Sequence, residues 1–259
     1  MSAIGFGVSL EAFQEIVERA APDAARFETT RGTYLQWLVG GGVELWLQAN
    51  AVQKIVGCNP HFAGEGRIEA AVIETVSAAG KPMDGQCFGW AAPSDPGNPY
   101  SGKHAIAASL PDFAYVDERI LVPPVVTLQV SAFAAELEYF PTETAFVDSE
   151  SGRYYGAEIG STVWAHATVE DLPQPDAFLS GTVEQSERRE NQVTGEPFHT
   201  LVVRTTAGTL DVVADLQTLP RRPVVGTVVA GTFWLSARVV SELPPVRKPM
   251  PFQRARANL

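Results

Sequence analysis

Gly40, Gly41 and Gly42 constrain this chain more than any other residues, because they join two apolar-polar alternating runs into a hairpin from Tyr34 to Gln48. Strand side chains alternate with a period of two. Pairing Val39 with Val43 therefore gathers Leu35, Trp37, Val39, Val43, Leu45 and Leu47 on one apolar face. The opposite face carries Tyr34, Gln36, Leu38, Glu44, Trp46 and Gln48. Aromatic, amide and carboxylate groups on one sheet face make Tyr34, Gln36, Glu44, Trp46 and Gln48 the candidate ligand-binding residues.

What precedes the hairpin supplies a cover for its oily side. Ile4 to Val8 reads as a short strand, and Ser9 caps a helix whose Leu10, Phe13, Ile16, Val17 and Ala20 recur at helical spacing until Pro22. Ala25 to Thr29 reads as a further strand. One helix on the apolar face leaves the polar-aromatic face open to solvent.

Beyond the hairpin, Ala51 to Gly66 is loop-like, and Arg67 to Val76 is a strand apolar enough to be buried on both faces. Cys87 to Ala92 and His104 to Leu110 flank a loop, Pro93 to Lys103, dense in Pro, Gly, Ser, Asp and Asn. Val125 to Phe140 is a long strand following Pro123-Pro124, and it echoes the hairpin: Leu35-Gln36 and Glu44-Leu45 recur as Leu128-Gln129 and Glu136-Leu137. From Pro141 the pattern is all β, with strands expected at Ala145 to Asp148, Tyr154 to Ile159, Thr162 to Val169, Phe178 to Glu187, Phe198 to Thr206, Thr209 to Asp215 and Gly226 to Val240. A turn at Ala207-Gly208 would set Arg204 opposite Asp211. The expected division is 1–141 as an α+β sheet domain, 142–243 as an all-β barrel domain and 244–259 as a basic, proline-rich tail. Leu172-Pro173-Gln174-Pro175 places an alternative boundary as late as 176.

A formal charge of -11 argues against general nucleic-acid binding, which draws most of its affinity from neutralising phosphates. The tail opposes that trend with Arg247, Lys248, Arg254 and Arg256. Two cysteines cannot make a disulfide framework. No apolar run reaches the roughly 18 residues of a membrane span, and Met1 to Gly7 has no signal-peptide character, so the expectation is a cytoplasmic chain with no membrane partner.

The succession strand, helix and three strands, with Glu44 inside the last strand, resembles the modules of the glyoxalase or vicinal oxygen chelate superfamily, whose paired modules curl around a divalent metal. The resemblance implies metal ligands on the first and last strands of each module: Glu44, then Glu69 or Glu74, then Glu136 or Glu138. Of these, Glu44, Glu69 and Glu138 form the candidate metal set, suited to a hard cation or a general base if they converge. The first strand, Ile4 to Val8, offers no ligand, which departs from the family. The C-terminal part resembles an OB-type barrel, a fold that binds single strands by aromatic stacking on a positive groove; Phe198, Phe233 and Trp234 meet only the aromatic half of that requirement.

Cys58-x-x-His61 with Cys87 and His104 has the residue types of a zinc set but only one spaced pair. No nucleophile elbow, phosphate loop or dinucleotide fingerprint is present. The sequence therefore reads as a non-catalytic ligand- or partner-binding module with no cofactor. The alternatives are a divalent-metal enzyme of glyoxalase type acting on a small oxygenated substrate, and single-stranded nucleic-acid binding by the barrel.

Overall fold

The computed structural model of the chain describes residues 1–20, 23–120, 125–155, 159–160, 162–164 and 174–245. Pro123-Pro124, most of the expected strand at 162–169, the Leu172-Pro173 pair and the basic residues of the tail lie outside the described residues. The chain is a β-rich α+β protein with two sheets. Among the described residues no helix is long and apolar enough to cross a membrane.

The first sheet has four antiparallel strands in chain order: β1 (Ala25–Thr29), β2 (Gly32–Gly40), β3 (Val43–Ala49) and β4 (Ile55–Phe62). Before it comes a 3-10 turn, Ser2–Ile4, where a strand was expected. Gly5 closes that turn with φ 76, a left-handed conformation that costs glycine little. Helix α1 (Leu10–Ala20) follows, and Ser9 Oγ accepts the Ala12 N–H at 3.3 Å. β4 occupies part of the stretch read as loop. Gly57, Asn59 and Pro60 are poor strand formers, so its pairing with β3, Leu47 opposite Cys58 and Glu44 opposite His61, holds it extended.

The second sheet begins with β5 (Ile68–Ala78), β6 (Lys81–Ala91) and β7 (His104–Ser109), then a short helix α2 (Phe113–Asp117) and the 16-residue strand β8 (Val125–Phe140). Next come α3 (Glu143–Val147) and α4 (Glu150–Tyr155), which overlap the strands expected at Ala145 to Asp148 and from Tyr154. Thr142 Oγ1 caps α3 by accepting the Ala145 N–H at 3.1 Å. The rest is β9 (Thr162–Trp164), β10 (Asp176–Glu190), β11 (Pro197–Thr205), β12 (Gly208–Asp215) and β13 (Val228–Val239). The β11–β12 turn closes one residue earlier than expected, at Thr206-Ala207, which shifts the pairing by two, so Val202 lies opposite Asp211 and Arg204 opposite Thr209. A two-residue slip leaves every side chain on its original face.

β8 and β13 pair antiparallel from Leu128 opposite Val239 to Phe140 opposite Val228, making one long ribbon. The β5–β6–β7 meander closes on one end of it, with β5 antiparallel to β8 and β7 parallel to β13 at Ser236. The β10–β11–β12 meander closes on the other end, with β10 antiparallel to β13 and β12 parallel to β8 at Ser131 to Phe133. Each circuit thus has five strands, and each borrows its fifth from the other. Ser131 and Ser236, which face each other on the ribbon, mark the centre of this exchange. The sheet runs unbroken across residue 141. Leu128-Gln129 and Glu136-Leu137, the supposed echo of the hairpin, lie on the single strand β8.

One core fills both circuits, with Ile106, Leu128, Leu179, Leu201 and Phe233 in a common cluster. A second core gathers the apolar face of the small sheet, Ile4, Phe6 and Val17 of the N-terminal segment, and Phe133, Phe198 and Val213 of the second circuit.

Candidate functional site

The hairpin forms in the register its alternation requires, with Tyr34 opposite Gln48, Leu35 opposite Leu47, Gln36 opposite Trp46 and Trp37 opposite Leu45. Only at the turn does Val39 bulge, leaving Gly40 opposite Val43. Its polar-aromatic face, however, is closed. Tyr34 and Trp46 are both 0% exposed and pack with Met83 of β6 and Ala114 of α2, while Glu44 and Gln48 are buried. Gln36 is half-buried and Leu38 exposed. The expectation of an open face fails because β6, α2 and β13 cover it.

Tyr34, Glu44 and Gln48 of that face each bond to a residue of the cover. Tyr34 donates its hydroxyl to Met83 O at 2.5 Å and accepts from Ala114 N at 2.9 Å. Burial pushes the Tyr34 phenol well above its usual range. Gln48 Nε2 and Asn59 Nδ2 both donate to Asp84 Oδ1. Trp46 Nε1 donates to Glu44 Oε2 at 3.0 Å, and Arg238 of β13 pairs with the same carboxylate at 3.3 Å while stacking 4.8 Å from the Trp46 ring centre. Asp112, buried beside this group, has its carboxyl pushed up to about 6 by burial, opposed by Arg238. Asp112 Oδ1 and Arg238 Nε find no hydrogen-bond partner among the described residues.

His61 anchors β4 to the ribbon at the Ser131–Ser236 pair. Gln129 Nε2 donates to Gly64 O, which turns Gln129 Oε1 toward His61 Nε2 at 3.3 Å; His61 Nδ1 lies 3.0 Å from Ser236 Oγ and 3.2 Å from Ser131 Oγ. Burial drives the imidazole down to about 3, with the Arg238 charge adding to the effect, so it is neutral at pH 7 and donates through Nε2. A serine beside a histidine is the geometry of an activated nucleophile. Here the imidazole is 0% exposed and the hydroxyls are also within reach of the Pro60 and Ser236 carbonyls, so the group fastens two sheets together.

The structure does not bring the proposed metal carboxylates together. Glu44 is buried against Arg238, Glu69 is exposed and accepts from Thr127 Oγ1 at 2.6 Å, and Glu138 is exposed near Ser151. Glu69 pairs with Thr127, eleven residues from Glu138 along β8, about 36 Å at a strand's rise per residue. The sulfur and imidazole set is also dispersed. Cys58 and Cys87 have thiols pushed up to about 12 by burial, and His104 Nε2 contacts Thr206 Oγ1 at 2.5 Å. Among the described residues no group of three or more His, Cys, Asp or Glu could hold a metal ion.

Trp90, an aromatic that sequence alone groups with Tyr34 and Trp46 as the lining of an apolar pocket, lies apart from them on another surface. In β6 the small residues Cys87, Gly89 and Ala91 turn inward, and Phe88 and Trp90 turn outward. Phe88 and Trp90 are half-buried and, among the described residues, belong to none of the hydrophobic clusters. Their cross-strand neighbours are small: Ala71 and Ala105 beside Trp90, Ala107 beside Phe88. Ala71 and Ala107 are fully buried although they share this outward face, as a floor beneath two aromatic rings would be. The alternation of small and aromatic residues over Cys87 to Ala91 was the available signal.

Comparison of the chain with protein-family models, with curated proteins and with solved structures finds no match.

Proposed function

We propose that this chain is a non-catalytic binding module whose recognition surface is the outer face of the first circuit, built on Phe88 and Trp90. The observation that carries the reading is that pair of half-buried rings standing outside the cores formed by the described residues, on strands, over an alanine floor. Large aromatics with part of their area in water are costly to leave bare and are enriched where proteins meet ligands and partners. We further read each five-strand circuit as OB-like. Counted from β5, β6 and β7 are the second and third strands of the first circuit, the position at which OB barrels carry ligands. The metal-enzyme alternative has no such support, since Glu69 on β5 and Glu138 near the far end of β8 lie far apart.

The test uses the side-chain indole resonance of Trp90 in a 15N-labelled sample, identified with Trp90→Phe. Short apolar, acidic and basic peptides are titrated in turn. Binding is expected to shift the Trp90 indole together with amides of β6 and β7. Ligands that shift only resonances elsewhere would overturn the assignment of the surface.

A further inference from the structure

The charge around Phe88 and Trp90 says what the surface accepts, given the reading of it as a binding face. The register places Val125, Ala71, Trp90 and Ala105 in one row across four strands, about 14 Å wide at the usual strand spacing. Val125 is itself exposed. Glu69 precedes Ala71 by two residues on the same face, and Glu74 is the direct partner of Phe88, so an exposed carboxylate stands on each side of the apolar row. Neither is in a salt bridge among the described residues. Lys103 borders the row from the adjoining loop, its N–H donating to Ala91 O.

We propose that this face binds a basic, extended segment of a partner protein, placing an arginine guanidinium over the Trp90 ring between Glu69 and Glu74. A cation over an indole is attracted by the ring's electron-rich face, and flanking carboxylates add charge pairing at the same point. The protein already builds this arrangement internally: Arg238 stacks 4.8 Å from the Trp46 ring centre while Glu44 holds it at 3.3 Å. An extended segment rises about 3.1 Å per residue, so five residues cover the row. Phosphate-bearing partners are disfavoured by the two carboxylates and by the net charge of -11.

The experiment titrates the full chain with a fluorescein-labelled ten-residue peptide of alternating Arg and Pro, beside Glu-Pro and Leu-Pro peptides of equal length. The Arg-Pro peptide is expected to bind, and Trp90→Leu and the double variant Glu69→Gln, Glu74→Gln are each expected to weaken it at least fivefold without changing the melting temperature. Raising salt from 50 to 500 mM is expected to weaken it further. Binding of the Leu-Pro peptide alone, lost in Trp90→Leu, would keep the face and overturn the basic partner. Arg-Pro binding indifferent to Trp90, or no binding of any peptide, would overturn the face as well. Neutralising Arg247, Lys248, Arg254 and Arg256 to Gln tests self-occupancy: a tenfold gain in Arg-Pro affinity would assign the face to this chain's own end and not to a partner.

Discussion

His61 and Asp112 bind protons in opposite senses, and stability should carry both signatures. His61 is held at about 3 against an ordinary 6.5, so its contribution is present above pH 6.5 and drains away as the pH falls toward 3. Asp112 is raised from 3.8 to about 6, so its contribution is present below pH 3.8 and is lost as the pH rises through 6. Between pH 4 and 6 the two slopes, each about 1.4 kcal/mol per pH unit, oppose one another. Asp112→Asn should therefore steepen the loss of stability on acidification through this window, and His61→Gln should flatten or reverse it. Denaturant midpoints across pH 4 to 8 measure both; parallel curves for all three proteins would show the groups are not titrating as described. Arg238→Ala leaves Glu44 buried without its cation and should cost about 3–5 kcal/mol. The paired change Arg238→Met, Glu44→Gln should recover much of that loss, a difference read in the same denaturation experiment.

Turns and strands show where local sequence sufficed and where it did not. The hairpin register was legible because three glycines mark the turn and alternation fixes the faces; Gly40, Gly41 and Gly42 indeed take φ of 107, 62 and 91. A Cβ on Gly42 would lie 2.7 Å from the buried Phe62 ring, whereas one on Gly41 meets nothing nearer than 3.8 Å. Gly42→Ala should accordingly cost about 2 kcal/mol or more, and Gly41→Asn, in a left-handed conformation that Asn tolerates, well under half of that. Equal melting temperatures for the two would contradict the geometry. The burial of the polar-aromatic face was not legible, because its cover comes from Met83, Ala114 and Arg238, the last 194 residues from Glu44. α3 and α4 are not legible as helices because five or six residues are too few to show helical periodicity, and for α3 the Thr142 cap decides the matter locally. The Phe88–Trp90 surface was readable as alternation, but alternation alone does not tell a wet aromatic from a packed one.

For the molecule as a whole, the shared ribbon predicts that the two circuits open together. Amides of β6 and of β11 lie in different circuits, but both circuits depend on the pairing of β8 with β13. Native-state hydrogen exchange should give them the same free energy of opening; a lower value confined to β10, β11 and β12 would show that the second circuit opens alone. The ribbon also bears on the order in which the chain is made. By the time residue 140 has left the ribosome, β5 to β8 are complete, yet Ser236 of the strand that seals them is almost a hundred residues from emerging. The first circuit must wait with one edge open until the last strand arrives, so this protein is built to depend on whatever shields nascent β-strands during synthesis.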